Sequence, residues 1–323
     1  MPNLTFHGAA RQVTGSCYLL ETHDNFRLLL DCGMHQGEDA VDVLQTERFP
    51  FEPETIDAVI LSHAHLDHSG LLPMLTRKGF KGPIYCTTGT RKLLPVMLRD
   101  SVSLYESDLK RKNKQRMERG ETLLEAAYTL EDVETALSLC QPGRYQEALP
   151  IHKDLRLTFH DAGHILGSSI VELSFNEDGK SKTLVFSGDL GNKESVLMKD
   201  PALIRSADLV MMEGTYGDRN HRDMNKTLEQ FEQILHETWE AKGNVMIPAF
   251  AVGRTQEILF HLGCLHHAGK LDPWQIFLDS PMAIEVTEMR ARTICRVFCL
   301  SLNIQKVWKS LRQLTKLNPV PLS

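Results

Sequence analysis

The 323-residue chain contains no long apolar run, so no membrane-spanning helix is expected, since a span needs about 20 consecutive apolar residues. Its first residues, Met1-Pro2-Asn3-Leu4-Thr5, lack the basic start and apolar core of a signal peptide. The seven cysteines are scattered, with no paired spacing. Neither a disulfide framework nor a cysteine zinc site is therefore expected, and the odd count favours free thiols. A cytoplasmic, reducing compartment fits best. Two other scarcities are local: no histidine follows His267, and no aspartate or glutamate follows Glu288. Residues 289–323 instead carry seven of the 36 basic residues, leaving 29 basic against 42 acidic residues ahead of them. An acidic body argues against broad nucleic-acid binding by charge alone, so a polyanionic substrate would depend on local basic groups and on metal ions. With 42% hydrophobic and 24% charged residues, the composition is that of a soluble globular protein, long enough for one large domain and part of another.

What the sequence does have is concentrated in Ser62-His63-Ala64-His65-Leu66-Asp67-His68-Ser69-Gly70, directly after the apolar run Ala58-Val59-Ile60-Leu61. The run reads as a buried strand. Three histidines and an aspartate on a loop at a strand end form a ligand set that suits zinc. A solvated turn rich in histidine is the bland alternative, but four ligands at this density have no packing role, and Asp67 and His68 would otherwise only cost stability. His63 and His65 alternate and can grip one ion, while the adjacent Asp67 and His68 can turn toward another.

These four residues resemble the HxHxDH signature of the metallo-β-lactamase superfamily. The resemblance implies an α/β fold, an αββα sandwich of two sheets packed face to face between outer helices. It also implies that His63 and His65 hold a first zinc, and Asp67 and His68 a second. The rest of the chain follows that pattern. Leu4 to Leu20, with a glycine-containing loop, and Phe26 to Leu30 read as strands of an antiparallel meander. The third strand ends at Asp31, which matches the family's first motif, a residue that orients the metal-binding loop by hydrogen bonds. A helix is expected over Gly70 to Lys78, a strand at Ile84-Tyr85-Cys86, and mostly helix from Arg99 to Leu139, with Thr129 and Asp132 as a capping box. The basic run Lys110 to Arg116 reads as a solvated helix face, with contact to a phosphate backbone as the alternative. After the alternating strand Leu155 to His160, small residues flank His164, which matches the third motif and completes the first zinc site. His160 is a weaker candidate. Asp189, at the end of the strand Thr183 to Phe186, matches the carboxylate that bridges both zincs.

Glu213-Gly214-Thr215-Tyr216-Gly217-Asp218-Arg219, together with Pro248 to Glu257 and Leu278 to Ala283, resembles the β-CASP group of RNA-processing nucleases. The resemblance covers about residues 4 to 288. It implies a metallo-β-lactamase domain over 1–208 and the beginning of an inserted β-CASP α/β domain over 209–288. It further implies a zinc-dependent phosphodiester hydrolase acting on RNA, leaving 5′-phosphate and 3′-hydroxyl ends. Asp67, Asp189 and Glu213 are the expected catalytic residues, Arg254 is a candidate phosphate contact, and RNA and a homo-oligomeric copy are the expected partners. Two later histidines of the family, a proton donor and a ligand of the second zinc, have no counterpart after His267. The second site is thus expected to be one ligand short, and the chain to be a C-terminally truncated member. Residues 289–323 read as a basic tail from a shifted reading frame or aberrant end, with a natural basic helix docked on the acidic body as the alternative. The competing functions are a hydrolase of a small ester or thioester and an inactive fragment that binds zinc and RNA.

Overall fold

The computed structural model describes residues 2–298 apart from positions 38, 178, 221, 272 and 273. The expected basic tail therefore lies, from residue 299 onward, outside the described residues. The chain divides into two compact units, Met1–Thr215 and Tyr216–Ser323.

The first unit is built on two sheets. One begins with the expected antiparallel meander of β1 (Asn3–Phe6), β2 (Tyr18–Glu21) and β3 (Arg27–Leu30). It continues with three parallel strands, β4 (Ala58–Ile60), β5 (Ile84–Thr87) and β6 (Cys140–Gly143). The helices of this unit are α1 (Ala40–Thr46), α2 (Leu66–Ser69), α3 (Leu72–Arg77), α4 (Thr88–Glu118) and α5 (Leu130–Ser138). The second sheet runs β7 (Leu149–His152), β8 (Leu155–Asp161), β9 (Ser169–Glu177) and β10 (Lys180–Phe186) antiparallel, with β11 (Leu209–Met211) parallel to β10 at the edge.

Why β3 and β4 are apolar at every position follows from the layers. Leu28, Leu30 and Ile60 face Leu157, Phe159, Val171, Leu173 and Phe186 of the second sheet in one continuous core. Leu29 and Val59 are equally buried, on the opposite side of the pleat, where α4 lies over β5 and β6. A strand covered on both faces loses the alternation of a half-exposed one, and each such Leu, Val or Phe contributes roughly 1.5–3 kcal/mol by leaving water. The outer face of the second sheet buries Ala162, Ile170 and Val185 beneath Leu190, Ile204 and Ala207.

Helix α4 starts earlier than the sequence suggests, because the Thr87 hydroxyl caps it by accepting the Thr90 N–H at 3.1 Å. At α5 the expected capping box is present, with the Asp132 carboxylate accepting the Thr129 N–H at 2.8 Å. Within the basic run, Lys112 Nζ lies 2.7 Å from both Asp39, the N-cap of α1, and Asp42. That lysine ties α4 to α1, and Arg111 pairs with Asp108 at 2.9 Å along the helix.

The expected domain boundary after residue 208 falls at the start of β11, which completes the second sheet, so the first unit runs on to Thr215. The second unit carries α6 (Met224–Glu240), α7 (Arg254–His267) and α8 (Pro281–Phe298). Leu235 of α6 and Leu262 of α7 pack with Leu271, Phe231, Val245 and Trp274 in a core of their own. Among the described residues this unit has no strand.

Candidate metal centre

Three loops at strand ends of the first unit supply the site. The first follows β4 and holds His63, His65, Asp67 and His68. Behind it sits Asp31, fully buried at the end of β3. Its backbone takes φ +59°, a left-handed conformation that aspartate and asparagine tolerate better than other residues with side chains. Its carboxylate accepts the Ser62 N–H at 2.8 Å, the Ser62 hydroxyl at 2.9 Å and the Ser16 hydroxyl at 3.1 Å. It also accepts from His68 Nδ1 at 2.7 Å, which leaves His68 Nε2 to face the site. Backbone bonds from Ser16 N to Asp67 O (2.8 Å), Cys32 N to His68 O (2.8 Å) and Met34 N to Leu66 O (2.9 Å) fasten the loop to its neighbours.

The second loop, between β8 and β9, carries His164. The Ser168 hydroxyl accepts the N–H groups of His164 (3.0 Å) and Ile165 (3.1 Å). Thr87 and Thr90 donate their hydroxyls to Gly167 O at 2.6 and 2.9 Å, and the Tyr145 hydroxyl donates to Ser168 O at 2.8 Å. The third loop follows β10 and carries Asp189. It meets the second loop where Gly191 N donates to Ala162 O at 2.8 Å. A Cβ at position 191 would lie 1.9 Å from Gly163 O, so only glycine lets the two loops approach this closely.

These loops bring His63, His65, His164 and Asp189 together, one ligand atom of each lying within 4.8 Å of the others. His63 Nε2 and His65 Nδ1 are 3.1 Å apart, and His65 Nδ1 and His164 Nε2 are 3.3 Å apart. Asp189 Oδ2 is 3.7 Å from His63 Nε2 and 3.6 Å from His164 Nε2. Ligands about 2.0–2.1 Å from one tetrahedral ion are separated by about 3.3–3.4 Å, so the spacing suits a single cation at the centre. A proton suits it poorly, because His65 Nδ1 faces two imidazole nitrogens and one hydrogen cannot satisfy both. The other oxygen of Asp189, Oδ1, faces His68 Nε2 at 3.2 Å, and Asp67 Oδ2 lies 3.8 Å from the same nitrogen. Asp67 and His68 thus stand beside the four-ligand group, with Asp189 between the two sets.

The electrostatics agree with that division. Burial, with the neighbouring histidines, holds His63 well below its ordinary pKa. His65 is pushed down to about 3 by burial and by His164 and His68. His164 is lowered by burial, although Asp189 opposes the shift. Neutral imidazoles are what a metal requires. For His68 burial also lowers the pKa, but the charge of Asp31 and the hydrogen bonds that His68 donates to Asp189 and Asp31 outweigh it and raise His68 well above the ordinary value. Burial raises Asp67. Burial opposes ionisation of Asp189 too, yet His68 holds its carboxyl below the usual range.

Of the other expected residues, Glu213 accepts the Leu190 N–H on Oε1 at 2.8 Å, so its carboxylate meets the backbone of the Asp189 loop. Arg254 opens α7 in the second unit and pairs with Glu257 at 2.6 Å. His160 pairs across the strands with Glu172 at 3.0 Å. Ser62, Ser168, Thr87, Thr90 and Tyr145 were not among the expected site residues. Ser62, directly ahead of the histidines, was the one with a signal; the others act through backbone carbonyls or amides that no spacing reveals.

A metallo-beta-lactamase superfamily domain matches residues 19–207, more than half of the chain, and the chain belongs to that superfamily. It is 42% identical over 287 residues to ribonuclease TTHA0252 of Thermus thermophilus, covering 89% of this chain and 60% of that protein. It is 35% identical over 298 residues to the transcription termination factor FttA of Methanosarcina mazei, covering 89% of this chain and 43% of that protein. With an RNase J-like protein of Methanocaldococcus jannaschii it shares 33% identity over 282 residues, 86% of this chain and 58% of that protein. Among solved structures, a subclass B3 metallo-beta-lactamase of Bradyrhizobium japonicum aligns with TM-score 0.40 and 15% identity over 75% of this chain and 94% of that one. The chain spans between 43% and 60% of the length of these curated relatives. Among the described residues no helix is long and apolar enough to cross a membrane.

Proposed function

We propose that the chain is a zinc-dependent phosphodiester hydrolase of the β-CASP type that acts on RNA. The observation that carries this reading is the convergence of His63, His65, His164 and Asp189 within 4.8 Å, in a chain whose relatives include proteins named ribonuclease. Three imidazoles and a carboxylate suit zinc. These four residues would hold the first ion; Asp67, His68 and the shared Asp189 would hold a second. Zinc bound there supplies Lewis acidity, lowering the pKa of water and offsetting phosphate charge. The remaining work falls to the chain itself. Asp31 fixes the ring of His68, Asp189 presents one oxygen to each set of ligands, and Asp67 would take the proton of an attacking water on its carboxylate. Arg254 is assigned as a phosphate contact for the RNA. The buried thiols of Cys17, Cys32, Cys86 and Cys140, all unpaired in disulfides, suit a reducing cytoplasm.

A second reading, RNA binding without cleavage, is favoured by one observation: Asp67 and His68 stand outside the converged group. Zinc content of the dialysed protein, followed by cleavage of an end-labelled RNA oligonucleotide, separates the two. Two zincs per chain and cleavage to 5′-phosphate and 3′-hydroxyl ends support the hydrolase. Asp189→Ala should then lower the rate by more than about 10²-fold, since groups that merely support a metal ligand are worth ~10–100-fold. One zinc with RNA retained and uncut supports the binding protein. Turnover of a small thioester or of DNA in preference to RNA would overturn both.

A further inference from the structure

Glu213 bonds the loop that carries Asp189 through both its backbone and its side chain. It lies just past β11, at the point where Ser187 N donates to Met211 O at 2.9 Å and ends the parallel pairing. Its own N–H donates to the Ser187 hydroxyl at 3.1 Å, and that hydroxyl donates to Gly188 O at 2.6 Å. Its side chain reaches forward to accept the Leu190 N–H at 2.8 Å. One residue therefore grips residues 187–190 at both ends, and Asp189 lies between the two grips. The bond to Leu190 needs an acceptor oxygen at the reach of a glutamate side chain. It needs neither negative charge nor a proton.

We infer that Glu213 is a positioning residue whose side-chain oxygen holds the Leu190 amide and so sets the orientation of Asp189 toward the metal-ligand group. The inference rests on the metal-centre reading for its consequence, but the grip itself is independent of any ion. It also predicts which substitutions matter. Glu213→Gln keeps an oxygen at the same reach. Glu213→Asp keeps the charge and falls one methylene short. A role in charge or proton transfer gives the opposite ranking.

The test uses the full chain and two readouts. Cobalt(II) titration, followed by visible absorption, reports the ligand group; hydrogen exchange of the Leu190 amide in the metal-free protein reports the grip. We expect Glu213→Gln to bind cobalt as the unaltered chain does. Glu213→Asp and Glu213→Ala should bind it ~10–100-fold more weakly, the usual cost of losing a group behind a metal ligand, with faster exchange at Leu190. Equal affinity and exchange across all three variants would overturn the inference, as would Asp preserving and Gln losing them. Should Glu213→Ala fail to fold, the Gln and Asp pair still decides. If the unaltered chain binds no cobalt, the metal-centre reading fails, while Leu190 exchange still settles whether Glu213 holds the loop.

Discussion

Removal of the Asp31 carboxylate should unlock the first ligand loop. In Asp31→Ala the Ser62 N–H, the hydroxyls of Ser62 and Ser16, and His68 Nδ1 all lose their acceptor, from bonds of 2.8, 2.9, 3.1 and 2.7 Å. His68 is nearly buried, and stripping the partner from a buried charged pair costs about 3–5 kcal/mol. Set against a total stability of about 5–15 kcal/mol, that is a large fraction. Asp31→Asn isolates the charge. Asparagine accepts the φ of +59° without added strain and still offers one oxygen to Ser62, so the loss should fall to about 1.5–3 kcal/mol, the worth of a hydrogen bond to a charged group. Urea unfolding of the metal-free protein at neutral pH, with zinc titration alongside, measures both effects. The expected order is wild type, then Asn, then Ala, in stability and in zinc affinity alike. An Asp31→Ala protein within about 0.5 kcal/mol of wild type, the range of an inconsequential surface change, would refute the account of how this loop is held.

Two further outcomes follow from the same geometry. A Cβ at Gly33 would lie 1.6 Å from Asp67 O, a backbone atom that cannot swing aside, so Gly33→Ala should cost at least the ~1–3 kcal/mol of an overpacked core and weaken zinc binding; a thermal melt with a zinc titration checks it. The metal-free protein should also lose stability in acid. His65, held at about 3 in the fold, takes up a proton at about 6.5 once unfolded, so the unfolded state binds more protons between those values and stability falls as pH drops through that window. Urea midpoints from pH 7 to 4 should decline, more steeply in wild type than in His65→Ala.

Much of this arrangement was legible in the sequence. The ligand-dense loop after a buried strand, the strand-end positions of Asp31, His164 and Asp189, and the capping box at Thr129 depend on local pattern, and local pattern is what a sequence displays. The parts that escaped are those made by distant segments. Nothing in Thr87-Thr88-Gly89-Thr90 announces that two of its hydroxyls will brace Gly167, because that bond exists only once α4 and the loop after β8 meet across the two sheets. Glu213 shows the same limit from the other side. Its identity was visible, but its contact with Leu190 depends on the parallel pairing of β11 with β10.

The three ligand loops share one device: each is held from behind by oxygen groups that leave the ligand atoms facing forward. Asp31 does this for His63 to His68, Ser168 with Thr87, Thr90 and Tyr145 for His164, and Glu213 for Asp189. The four-ligand group draws on all three loops, and burial lowers the pKa of each of its three histidines. Asp67 and His68 come from the first loop alone, and His68 Nε2 faces Asp189 Oδ1 at 3.2 Å. Loosening the first loop should therefore disturb both positions, whereas loosening the loop of His164 should disturb the four-ligand group alone.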